Sequence, residues 1–167
     1  MVHIYGEEVE FERKTLEEYG LSIILPKDYA LLDEETRAFL YPQGNCPPYV
    51  YACQTVQGSV AINLTPSIVP NEHMREFVPK MKRVMEQMGP QTKILSCKTI
   101  EKEERNIGIL EFLSHAIDMN VHNFMTYHSV NNRLLMLTIS FPNKNSDRYV
   151  ALAKQMIDSI IIEEGEE

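Results

Sequence analysis

Three histidines and two carboxylates crowd one stretch of the chain: Glu111, His115, Asp118, His122 and His128. Imidazole nitrogens with a carboxylate oxygen are a donor set suited to zinc. The spacing argues against such a site. On a strand through residues 121–130, His122 and His128 share a face but stand about 20 Å apart, and His115 falls on the opposite face. His73 has Phe77, not a ligand, one helical turn on. Neither a metal nor a cofactor is expected.

Nucleophilic chemistry has little more support. Cys46, in the loop Gly-Asn-Cys-Pro-Pro, is the most exposed cysteine by context, but a reactive thiol needs a base or a cation beside it, and none is adjacent. Cys46, Cys53 and Cys97 contain no Cys-x-x-Cys pair and read as free thiols, not as a disulfide framework or a zinc knuckle. Gly-x-Ser-x-Gly, phosphate-cradling and dinucleotide-binding signatures are all missing. Carboxylate pairs leave no local motif, so catalysis stays open, but the balance is against an enzyme.

The methionines offer a different chemistry. Met74, Met81, Met85, Met88, Met119, Met125, Met136 and Met156 are flexible and polarizable, suited either to core packing or to a groove that repacks around an apolar partner. The groove requires apolar surface left open between helix and sheet. Burial of every one of these side chains would exclude it.

The elements that must position these residues follow from periodicity. Val9 and Phe11 suggest a short first strand in a charged segment, 1–18. Residues 20–25 form a β-rich run closed by Pro26, and 33–40 suit a helical turn before a loop written by Pro42, Gly44, Pro47 and Pro48. Runs 49–56 and 59–65 alternate and are separated by Gln57-Gly58, which reads as a hairpin ended by Pro66 and Pro70. A helix capped by Asn71 then carries Met74, Phe77, Val78, Met81, Val84, Met85 and Met88 on one stripe up to Gly89-Pro90, with Pro79 expected to kink it or move its start toward Val78.

Four strands follow, at 92–100, 106–117, 121–130 and 134–141, each antiparallel to the next. Asn131-Asn132 suits the two positive φ values of a type I′ turn. That turn sets His128 opposite Leu135, Thr126 opposite Leu137, Phe124 opposite Ile139 and His122 opposite Phe141 on a helix-covered face. Apolar residues on both sides of 106–117 predict a central strand covered twice. After Pro142 a second helix, capped by Asn145 or Ser146, sets Tyr149, Leu152, Ala153, Met156, Ile157 and Ile160 to one side. Strands grouped apart from helices exclude a parallel α/β sheet. The expectation is one undivided α+β domain over 1–167, an antiparallel sheet of six or seven strands flanked by amphipathic helices, with 1–18 and 163–167 loosely ordered.

A net charge of -8 excludes a nucleic-acid partner and an anionic membrane, since neither phosphate backbones nor acidic lipids attract such a surface. Residues 1–8 show no basic and apolar leader, and nowhere do about eighteen apolar residues run together. The expected location is cytoplasmic. The sequon Asn63-Leu-Thr65 then has no route to glycosylation.

Three segments, Leu21-Ser-Ile-Ile-Leu-Pro-Lys-Asp-Tyr29, Leu135-Met-Leu-Thr-Ile-Ser-Phe141 and Gln155-Met-Ile-Asp-Ser-Ile160, resemble the Mog1/PsbP-like family, including DcrB-related proteins. Tyr29 stands where that family usually has Trp. The resemblance implies a binding module: its members include a regulator of a small GTPase, a photosystem subunit, periplasmic lipoproteins and chaperones of secreted effectors. It carries over no functional residue. The expected partner is therefore another protein, with a homodimer left open, and the candidate surface gathers Tyr49, Tyr51, Met81, Met85, His122, Tyr127 and His128. The alternative is a small-molecule-binding or hydrolytic protein with a cleft between sheet and helix, lined by Tyr49, Tyr51, His122, Tyr127 and His128.

Overall fold

Alternating apolar residues build most of the molecule. The computed structural model describes residues 2–4, 7–40, 47–52, 58–87, 92–115, 120–142 and 146–163. Cys46, Cys53, Met88, Gly89-Pro90, Asp118, Met119, Asn145, the Pro42 and Gly44 loop positions and the tail beyond Glu163 lie outside them, as does the side chain of His115.

In chain order the elements are β1 (Val2–Ile4), β2 (Glu7–Val9), β3 (Phe11–Leu16), β4 (Leu21–Pro26), β5 (Ala30–Leu31), α1 (Glu34–Leu40), β6 (Tyr49–Ala52), β7 (Ser59–Ile68), α2 (Met74–Glu86), β8 (Thr92–Lys102), β9 (Arg105–His115), β10 (Asn120–Val130), β11 (Arg133–Pro142), α3 (Ser146–Asp158) and β12 (Ile161–Ile162). Seven strands form one antiparallel sheet in the order β5-β6-β7-β11-β10-β9-β8. A second sheet has the order β12-β4-β3.

The β10–β11 register matches the expected one at all four pairs, from His128↔Leu135 to His122↔Phe141, and Asn131 and Asn132 have φ of 51° and 66°. Side chains of opposite parity therefore enter two different cores. On one face Phe124, Thr126 and His128 of β10 and Leu135, Leu137 and Ile139 of β11 meet Leu152, Ala153, Met156 and Ile157 of α3, together with Leu21, Ile23 and Leu25 of β4. On the other face Leu110, Phe112, Tyr127 and Leu134 meet Met74 and Val78 of α2. Strand β9 supplies Ile107 and Ile109 to the first core and Leu110 and Phe112 to the second, as a doubly covered strand must.

Several expectations need correction. The β6–β7 pairing puts Ala52 opposite Ser59, so the connection spans six residues and is not a turn at Gln57-Gly58 alone. Pro66 does not end β7; it sits where the β7–β11 register shifts, at a bulge that needs no proline N–H. Pro79 lies inside α2 without displacing its start, because burial of Met74 and Val78 anchors the first turns. The segment before residue 18 contributes three strands, and β12 lies beyond α3, docked on β4 with the Glu163 amide donating to the Gly20 carbonyl at 2.7 Å.

Asn71 is not a helix cap. Its Oδ1 accepts from the Asn106 amide at 2.8 Å and its Nδ2 donates to the Glu104 carbonyl at 3.2 Å. Glu103 and Glu104 both have positive φ, at 51° and 67°, in a turn that their residue types do not favour. Asn71 holds that turn against the start of α2. Asn71→Ala strips partners from a backbone donor and a backbone acceptor, and chemical denaturation is expected to register a loss of about 2 kcal/mol.

Candidate functional site

The structure divides the seven predicted surface residues between the two faces of the sheet. Tyr49, Tyr51, His122 and His128 project toward the α3 side, whereas Met81, Met85 and Tyr127 belong to the α2 side. Tyr127 and His128 are neighbours on a strand, so they must point apart. One surface cannot contain all seven.

On the α2 side, Tyr127 is fully buried, its hydroxyl 2.9 Å from the Met125 sulfur and its ring edge-on to Phe77 at 5.6 Å. Burial pushes its phenol well above the ordinary range. Around it Phe77, Met81, Met85, Met125 and Met136 are only half-buried, and Val84, one heptad after Phe77, is 50% exposed. Met74 is buried here and Met156 in the opposite core. With Ile94 and Cys97 of β8, the half-buried side chains pack against the α2-side core and leave an apolar, methionine-rich seam partly open at its margin.

On the α3 side, Tyr51 and His128 are core residues. His128 is 1% exposed, its Nε2 lies 2.8 Å from the Thr126 hydroxyl, and its Nδ1 has no hydrogen-bond partner among the described residues. Burial, reinforced by Arg105 and Lys102, lowers its pKa to about 3, so the ring is neutral. Tyr49 is half-buried; its hydroxyl donates to Glu18 at 2.6 Å and its ring meets Tyr19 edge-on at 5.3 Å. The Glu18 bond raises its pKa. Tyr19 also borders a depression of about 400 Å3 with Glu17, Glu18, Glu163 and Arg133 on its walls.

The cleft between sheet and helix exists, with walls other than those expected. About 290 Å3 in volume, it has a buried floor of Ile109, Phe124 and Ile157 and a rim of Lys98, Lys154 and Asp158. None of the five residues predicted to line it does so. Glu111 lies on its wall, with Oε2 2.7 Å from His122 Nε2 and Oε1 3.4 Å from the Ser96 hydroxyl. His122 is buried and stacks on Phe124 at 5.0 Å. Sequence reasoning grouped Glu111 with His122 as metal donors but missed the pair itself, which the diagonal setting of Glu111 opposite Phe124 creates.

The order of these three groups decides their chemistry. Activating a serine requires an imidazole within reach of the hydroxyl and a carboxylate behind the imidazole. Here the carboxylate stands between Ser96 and His122, so the imidazole does not take the hydroxyl proton. Among the described residues no group of three or more His, Cys, Asp or Glu side chains is placed to hold a metal ion. Cys97 is half-buried in the α2 core, and burial raises its thiol pKa, with Glu86 adding to that and Lys82 opposing it.

A long antiparallel sheet with helices over both faces, one core closed by a smaller sheet, is the Mog1/PsbP fold, as the three sequence segments imply. Cyanobacterial PsbP (CyanoP) from Synechocystis sp. PCC 6803 is similar at a TM-score of 0.70 and 12% identity, covering 98% of each chain. PA94 from Pseudomonas aeruginosa gives 0.54 and 10% over 93% of this chain and 99% of its own. A point mutant of Mog1 gives 0.55 and 10% over 93% and 97%. Such identities establish shared fold and nothing finer. No family model and no curated protein matches the sequence. Among the described residues no helix is long and apolar enough to cross a membrane.

Proposed function

We propose that this chain is a non-enzymatic protein-binding module of the adaptor or secretion-associated chaperone type, acting in the cytoplasm. The observation that carries the reading is the half-buried seam of Phe77, Met81, Met85, Met125 and Met136, continued by exposed Val84. Thioether side chains at a helix–sheet junction repack around varied apolar segments at little strain. A core would have buried them, and a purely solvated face would not have collected them. The resemblance to families that contain binding modules agrees with this.

A ligand-binding reading has one observation in its favour, the cleft beside the Glu111–His122 pair. In the Ser96–Glu111–His122 order the imidazole does not activate the serine, so that hydroxyl is not the nucleophile of a hydrolytic version.

The test is affinity capture of the tagged chain from its own cells at low and high salt, beside Met81→Glu and Met85→Glu variants whose folding is checked by circular dichroism. A partner retained at high salt and lost from folded variants is the expected result. A partner held equally by the variants, or beads empty at both salts, would remove the seam from the reading.

A further inference from the structure

Among the described residues strand β8 ends the seven-stranded sheet and pairs only with β9. Among the described residues none of the backbone bonds outside regular elements reaches it. Its outward amides and carbonyls from 96 to 102 are therefore a template on which another strand can add; a register shift at Leu95 ends the regular stretch.

Basic side chains are concentrated in the segment that builds this edge. Residues 75–102 hold seven basic side chains against three acidic ones in a chain of net charge -8. On the α2 face of the edge stand Lys82 and Glu86, both facing Cys97, and Arg75, 3.8 Å from Glu101. On the α3 face Lys98 and Lys154 rim the cleft together with Asp158, and Glu111 on its wall is engaged by His122; neither lysine has an ion-pair partner among the described residues. Lysines on an edge strand resist pairing with a second copy, which would bring like charges together. The same lysines favour an acidic strand.

We infer that the free edge of β8 binds an extended acidic segment of another protein by strand addition, with one apolar side chain of that segment seated in the cleft over Ile109, Phe124 and Ile157. Side chains of an added strand alternate between the two faces. An apolar residue over the cleft therefore has its neighbours two positions away on the same face, within reach of Lys98 and Lys154, while the intervening residues meet Lys82. A segment Glu-Glu-Leu-Glu-Glu satisfies both faces. The inference rests on the protein-binding reading, but its surface is distinct from the methionine seam, so the two fail separately.

The probe is acetyl-Glu-Glu-Leu-Glu-Glu-amide added to the full chain, followed by hydrogen exchange and salt titration. Expected are slower exchange, at least tenfold, at alternate amides from 96 to 102, and binding that weakens with salt. Lys98→Glu combined with Lys154→Glu should abolish that protection, while Met81→Glu should leave it intact, and a peptide with Lys in place of each Glu should not bind. Binding without protection on β8, equal binding by the double charge reversal, no binding at millimolar peptide, or concentration-dependent protection of β8 in the peptide-free protein, which would mean a second copy, each overturns the inference.

Discussion

Lowering the pH from 6.5 to 4 is expected to destabilise the protein by about 3 kcal/mol through His128 alone, at 1.36 kcal/mol per pH unit. In the unfolded chain this imidazole titrates near 6.5, whereas in the folded core it resists protonation down to about 3. A base whose pKa is depressed by folding takes up more protons when unfolded throughout that window. Its contribution to stability is therefore complete above pH 6.5 and shrinks as the pH falls toward 3. The cause is its position: the ring is almost wholly buried between β10, β11 and the α3 layer, with Thr126 its one hydrogen-bond partner among the described residues and Arg105 and Lys102 disfavouring further positive charge. His128→Leu keeps an apolar volume in that slot and is expected to remain within about 1.5 kcal/mol of the parent at pH 7.5. Urea denaturation of both proteins across the pH range isolates the effect, because other titrating groups cancel in the difference. Parallel curves for parent and variant would show that His128 is not held neutral.

The contrast between His128 and Tyr127 shows what was legible in the sequence. The hairpin at Asn131-Asn132 joins two strands by a short turn with both φ values positive, so each partner from Val130↔Arg133 outward could be counted without ambiguity. The same counting places Tyr127 and His128 on opposite faces. Assembling them into one candidate surface ignored period two, which is why that surface divides.

Other features carried no local signal. Ile161 and Ile162 continue the apolar run of α3, and only their docking opposite Ser22 and Leu21 turns them into β12. Asn71 has the residue type and position of a cap, but its tertiary partner, the Glu103-Glu104 turn, competes for its side chain and wins. The cleft is tertiary as well. Its floor and rim come from β8, β9, β10 and α3, which no pattern within one segment brings together.

Gly108→Ala should cost about 3 kcal/mol, at the upper end of the ordinary overpacking range. Gly108 lies inside β9, where glycine has no side chain to pack and weakens a strand unless another element approaches closely. That element is α2: a Cβ on residue 108 would lie 2.2 Å from Val78 Cγ2 and 3.3 Å from Tyr127 Cδ2. Val78 is 1% exposed and cannot swing aside, so the added methyl must lift the helix. Val78→Ala removes the obstructing methyl and leaves a cavity of its own, at a cost of about 2 kcal/mol. Placed together, the two changes exchange one methyl group for another across the same contact. The double variant is therefore expected to be no less stable than Val78→Ala alone, a coupling of about 3 kcal/mol in a double-mutant cycle. Additive losses would mean that Gly108 is not what seats α2. The seating also sets the width of the seam, since Met81 and Met85 ride on the same helix. If the seam binds a protein, Gly108→Ala should weaken capture while still folded at low temperature, and the compensating Val78→Ala should restore it.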